Sequence, residues 1–69
     1  MKKISARNVF EGAVKEINEG ATTSHVLIDV NGNTITTSIT NESVEELGLQ
    51  VGKKVYAVIK SSEVMVAVD

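Results

Sequence analysis

Asn31-Gly32-Asn33 stands between two runs rich in alternating apolar and β-branched residues, Val26, Ile28 and Val30 before it and Thr34 to Ile39 after it. Asn and Gly accept the positive φ that a tight hairpin turn demands, so the two runs can pair as neighbouring antiparallel strands. This signal commits the middle of the chain to a sheet. Upstream, Val9 to Ile17 alternates as a strand, with Phe10, Gly12 and Val14 on one face and Val9, Glu11, Ala13, Lys15 and Ile17 on the other. Both faces are partly apolar, as expected if one lines a barrel and the other meets a neighbouring subunit. Gly20 to Thr23 reads as a loop and His25 to Val30 as the second strand.

After the return strand, Thr40 to Gly48 carries helix signals. Thr40, Asn41 and Ser43 are capping candidates, acidic residues follow, and Gly48 suits the position just past a helix end, which limits the helix to two turns. Gly52 marks a turn, Val55 to Ile59 a fourth strand and Val64 to Val68 a fifth. Three strands, a short helix and two strands is the order of the OB fold. The expected architecture is therefore all-β, a small OB-like Greek-key barrel of five strands with one short helix between strands 3 and 4. Pro, low-complexity segments and linkers are absent from the sequence, so residues 1–69 read as a single domain.

A lone domain of 69 residues is marginal, because at this size only about 60% of the unfolded surface is buried. No Cys is present to form a disulfide or a thiolate metal site, and one His among scattered carboxylates is a poor basis for structural zinc. With 42% apolar residues, oligomerisation is the remaining route to stability. A net charge of −2 with dispersed cations argues against general nucleic-acid binding. No apolar run approaches the roughly 20 residues needed to cross a bilayer, and Met1-Lys2-Lys3 leads into no continuous apolar segment of a signal peptide. Cytoplasmic localisation is the expectation.

Catalysis finds little support. His25, the one His, lies on an apolar strand without a nucleophile in an evident triad, and the five Gly are too dispersed for a phosphate-binding loop. His25 reads either as an anion donor that strengthens as pH falls or as a surface or interface side chain, and the second fits better. Glu45 and Glu46 read as a solvated helix face. Phe10 and Tyr56, the two aromatics, are embedded in apolar strands and read as core or interface rather than as a base-stacking platform.

Two polar segments remain. Ser5-Ala6-Arg7-Asn8 precedes the first strand, and Lys60-Ser61-Ser62-Glu63 follows the fourth. Each joins a hydroxyl to a cation where the chain turns, a combination that surrounds a tetrahedral oxyanion without a metal. These segments, with the apolar strand after the first and Val58-Ile59 and Val64-Met65 flanking the second, resemble the molbindins, small cytoplasmic molybdate-binding proteins built from a Mop domain. The likeness runs from Ile4 to Val68.

The resemblance implies oxyanion ligands at a subunit interface: Ser5, Ala6 and Arg7 of one chain with Lys60 and Ser61 of the next. Ala6 would act through its backbone, and Asn8 would pin the segment. It implies molybdate as ligand with tungstate possible, no cofactor, and a homo-oligomer, a hexamer built as a trimer of dimers, serving intracellular molybdenum storage and homeostasis. Further interface sites of the family direct attention to Gly20, Ala21 and Thr22, followed by Thr23 and Ser24, as a secondary oxyanion site; an ordinary hairpin loop is the alternative. A rival reading is an accessory or regulatory module of a molybdate transporter or regulator, against which stand the initial Met1 and the absence of a linker. An OB-fold nucleic-acid binder is a third, disfavoured by charge and aromatic count.

Overall fold

The computed structural model describes residues 3–69; Met1 and Lys2, where the leader argument begins, lie outside them. Four strands form one antiparallel sheet: β1 (Asn8–Glu19), β2 (Thr23–Val30), β3 (Asn33–Thr40) and β4 (Lys54–Ile59), in the order β3-β2-β1-β4. One helix, α1 (Asn41–Glu46), follows β3, and a 3-10 turn (Ser61–Glu63) follows β4. The all-β class, the hairpin and the helix between strands 3 and 4 are as expected. The fifth strand is not: Val64 to Val68 is extended but pairs with nothing, so the chain alone has four strands and its barrel is not closed.

The hairpin forms as its residues dictate. Val30 faces Asn33 across a two-residue turn in which Asn31 has φ +50° and Gly32 φ +88°, and the Gly32 amide donates to Asp29 Oδ1 at 3.2 Å. α1 is capped at both ends. Thr40 Oγ1 accepts from the Ser43 amide, and the chain leaves through Gly48 at φ +61° while the amides of Gly48 and Leu49 donate back to the carbonyls of Glu45 and Val44. Lys53 Nζ, at 2.7 Å from the Leu47 carbonyl and 3.1 Å from that of Gly48, satisfies the remaining negative end of the helix.

β1 does double duty. Its first half pairs with β4, from Asn8 opposite Ile59 to Ala13 opposite Lys54, and its second half pairs with β2, from Ala13 opposite Asp29 to Glu19 opposite Ser24. The ladder to β2 skips Lys15, which is bulged out, and the Val14 amide and carbonyl bond Lys53 O and Gly52 N instead. This bulge overturns the strict alternation expected for Val9 to Ile17. One inserted residue shifts the phase, so Ile17 joins Val14 on the inner face rather than opposing it.

The core is small. Val14, Val26, Ile28 and Ala57 are buried, with Ile17, Val30, Ile35, Ile39, Val44, Leu49 and Val55 half-buried against them. Phe10 and Tyr56 are 41% and 37% exposed, so neither belongs to the core of the single chain. Phe10 shares the face of Val14 but lies towards the open end of the sheet, and Tyr56 stands on the outer face opposite Glu11, beside Lys54, whose ammonium lies 3.3 Å from Glu11 and 5.6 Å from the Tyr56 ring centre. The Glu11 carboxylate, then the Tyr56 hydroxyl, raise the Lys54 pKa.

Gly12 sits where β1 passes from one partner to the other, and there is no room for a Cβ: it would run into the Asp29 carbonyl and stand 3.0 Å from methyls of both Ile28 and Val30. Gly12→Ala is therefore expected to cost about 1–3 kcal/mol, read as a lower urea midpoint at unchanged m-value. A variant as stable as the parent would show that β1 can shift away from β2 freely.

Candidate functional site

The start of β1 and the end of β4 are paired, and this brings the two polar segments together. Asn8 lies opposite Ile59 and its Nδ2 donates to the Ile59 carbonyl at 3.2 Å, which ties the residues before β1 to those after β4. Ser5, Ala6 and Arg7 form one side of a depression of about 350 Å³, and Lys60, Ser61 and Ser62 form the other, with Ile4 and Val58 supplying apolar wall. All five expected ligand residues thus line one concavity within a single chain. The family resemblance drew them from two chains; here Ser5 and Arg7 already stand beside Lys60 and Ser61.

Local structure explains the donors. Lys60 is the N-cap residue of the 3-10 turn, and the turn closes through the Glu63 amide to the Lys60 carbonyl at 2.9 Å. The amides of Ser61 and Ser62, in the first turn, have no acceptor in such a helix. Ala6 is half-buried, whereas Ser5, Arg7, Lys60, Ser61 and Ser62 are exposed. Among the described residues the single ion pair is Lys54 with Glu11, so no carboxylate of the chain neutralises Arg7 or Lys60. Two cations and three hydroxyls around one hollow make a donor-rich, acceptor-poor surface suited to a dianion. Ser62 belongs to this hollow although the sequence argument stopped at Ser61. Asn8 stands behind the hollow as a fastener, the role expected of it.

Gly20, Ala21 and Thr22 lie elsewhere, in the exposed loop between β1 and β2, and do not reach the first depression. The Gly20 amide is already committed, donating to the Thr23 carbonyl at 2.8 Å. Asn41 organises this loop: its amide donates to the Thr22 carbonyl, its Nδ2 to the Gly20 carbonyl at 3.0 Å, and its Oδ1 accepts from the buried Ser24 hydroxyl at 2.6 Å. Sequence reasoning took Asn41 for a capping candidate, but Thr40 is the cap and Asn41 is a brace. His25 is exposed on β2, and Glu45 and Glu46 are exposed on α1, as anticipated. No group of three or more His, Cys, Asp or Glu gathers as a metal site among the described residues.

Comparison with known proteins follows from this geometry. The model of the TOBE domain matches residues 4–66. The chain belongs to the TOBE-domain family. A probable molybdenum-pterin-binding protein of Haemophilus influenzae is 44% identical over 68 residues, covering 97% of this chain and 99% of that one. Among solved structures, a molybdate-binding protein from Sporomusa ovata superposes on this TOBE domain with a TM-score of 0.91 at 39% identity, over 96% of this chain and 98% of that one. The cytoplasmic molybdate-binding protein ModG, solved with molybdate bound, gives a TM-score of 0.83 at 43% identity, over 87% of this chain and 43% of that longer one. The resemblance read from the two polar segments is borne out at the level of family and fold.

Asn41→Ala strands the Ser24 hydroxyl, which is 2% exposed, and frees the Gly20–Thr22 loop. Its expected cost is about 2–3 kcal/mol, the scale of an unsatisfied buried group plus a lost bond. Asn41→Asp retains the acceptor for Ser24, so thermal melts should place it between parent and Ala variant.

Proposed function

We propose that this TOBE-domain chain binds molybdate, and alternatively tungstate, as an intact tetrahedral dianion, without catalysis, for intracellular storage and homeostasis of molybdenum. The observation that carries the reading is the convergence of Ser5-Ala6-Arg7 and Lys60-Ser61-Ser62 on one hollow that holds two cations and no carboxylate partner for either. Full-length likeness to proteins named for molybdenum-pterin and molybdate binding supports it, and the description of ModG as cytoplasmic supports the same location here.

The donors divide the work. Ser5, Ser61 and Ser62 offer hydroxyl protons, the Ser61 and Ser62 amides point from the first turn, and Arg7 and Lys60 balance the two negative charges. Nothing in this set donates a proton for bond cleavage or presents an activated nucleophile, and an anion held only by hydrogen bonds leaves as it came. The hollow is open to solvent in the single chain, and water screens such contacts. A neighbouring copy laid over it, contributing its own Ser5 or Lys60 side, excludes that water. This accords with a homo-oligomer, a hexamer as a trimer of dimers, and with the large apolar side chains that the single chain leaves exposed. Gly20, Ala21 and Thr22 remain the proposed secondary oxyanion site, with the amides of Ala21 and Thr22 as its donors.

Lys60→Ala is expected to weaken molybdate binding by about 1.5–3 kcal/mol, roughly 10- to 150-fold in Kd by titration calorimetry, with the assembly intact. Unchanged affinity would remove Lys60 from the site. Molybdate at a hundredfold over Kd is expected to add about 2.7 kcal/mol and raise Tm by 10 °C or more, by the roughly 4–8 °C per kcal/mol of a domain this size. Sulfate at equal concentration serves as the control, and a melt indifferent to millimolar molybdate overturns the reading.

A further inference from the structure

Val64 to Val68 forms an arm with no seat. Met65, Val66 and Val68 are 93%, 90% and 91% exposed, the segment joins no strand of its own chain, and it reads Val-Met-Val-Ala-Val without a charge. The radius of gyration, 12.7 Å, exceeds the roughly 11 Å of a compact chain of this length, as a projecting segment requires. The same chain has an empty seat of matching chemistry. Between β3 and β4, whose outer edges both lack a partner, lies a groove of about 440 Å³ floored by Val26, Ile28, Ile35, Ile39, Val55 and Ala57, and no charged residue lines it.

We propose that the Val64–Val68 arm of one copy docks as a strand in the β3–β4 groove of a second copy, and that the exchange is reciprocal. Three observations select this occupant. Five extended residues span about 17 Å, close to the length of the six-residue β4 along which they would lie. An uncharged arm meets an uncharged groove, so no ion is desolvated on docking. Four large exposed side chains present on the order of 500 Å² per arm, so two arms and two grooves bury on the order of 2,000 Å², the size of a stable dimer interface. The arm follows directly on the Ser61–Glu63 turn, so docking clamps that turn between its own β4 and the neighbour's sheet. The Lys60-Ser61-Ser62 side of the oxyanion hollow is thereby positioned by assembly. This deepens the oligomeric part of the proposed function and rests on it, independently of which anion binds.

The test is sedimentation velocity of the full chain in oxyanion-free buffer, so that a failure of molybdate binding leaves the result readable. The parent is expected to sediment as a dimer or a multiple of it. Val64→Asp with Val66→Asp in the arm, and separately Thr36→Lys at the exposed lip of the groove, are each expected to shift it towards the 7.4 kDa single chain. Parent-like assembly of either folded variant overturns the proposal, as does a parent that stays monomeric with its arm in its own groove. If the arm variant loses its circular-dichroism sheet signal, recovery on adding a peptide of residues 60–69 supports the proposal, and no recovery overturns it.

Discussion

β1 is long enough to serve two partners, and the handover at Ala13, opposite both Asp29 and Lys54, is the constraint from which the rest of the molecule follows. A strand that changes partner must rotate its hydrogen-bonding groups, and the backbone at Gly12, Val14 and Lys15 accomplishes this. Gly12 permits contact closer than any side chain would, Lys15 bulges, and Val14 bonds the turn before β4 rather than β2. The bulge rotates Ile17 inward, completing the core row. Upstream of the handover, the same strand carries residues 5–7 to the end of β4. Core and hollow are two consequences of one change of partner.

Much of this was legible in the residues. Asn31-Gly32 specified its turn because only residues tolerant of positive φ fit there, and Thr40 to Gly48 specified its helix because both caps are local side-chain and backbone features. What was not legible depends on distant groups. Lys15 looks like any outward residue in an alternating run, and nothing in its neighbours reveals that it is the inserted one. Val64 to Val68 has every local mark of a strand, but a strand exists only with a partner, and local pattern does not name one. For the hollow, the donor chemistry of Ser5, Arg7, Lys60 and Ser61 was visible as residue types. Their meeting within one chain required the register of β1 on β4, and the role of Asn41 required knowing which carbonyls face it.

The hydrophobic side chains left in water point the same way as the arm. Only Val14, Val26, Ile28 and Ala57 are fully enclosed, whereas Leu47, Val51, Val58 and Met65 stand well exposed. Each such side chain, once covered, contributes about 1.5–3 kcal/mol. For so small a core, contacts between copies are therefore comparable in weight to contacts within one. Anion affinity and chain stability are then linked quantities, since a ligand held between copies favours whatever holds the copies together.

The bond from Asn8 to the Ile59 carbonyl joins residues 51 positions apart, whereas the hairpin of β2 and β3 turns in two. Closing the larger loop costs chain entropy that grows with the logarithm of its length, about 2 kcal/mol more than closing a few residues. The order of events during folding follows: the hairpin zips locally, β1 adds to it, and the pairing of β1 with β4 comes late. The hollow between residues 5–7 and 60–62 is created by that last closure, so a nascent or half-folded chain has no place to hold an anion, and occupancy marks the chains that have completed their fold.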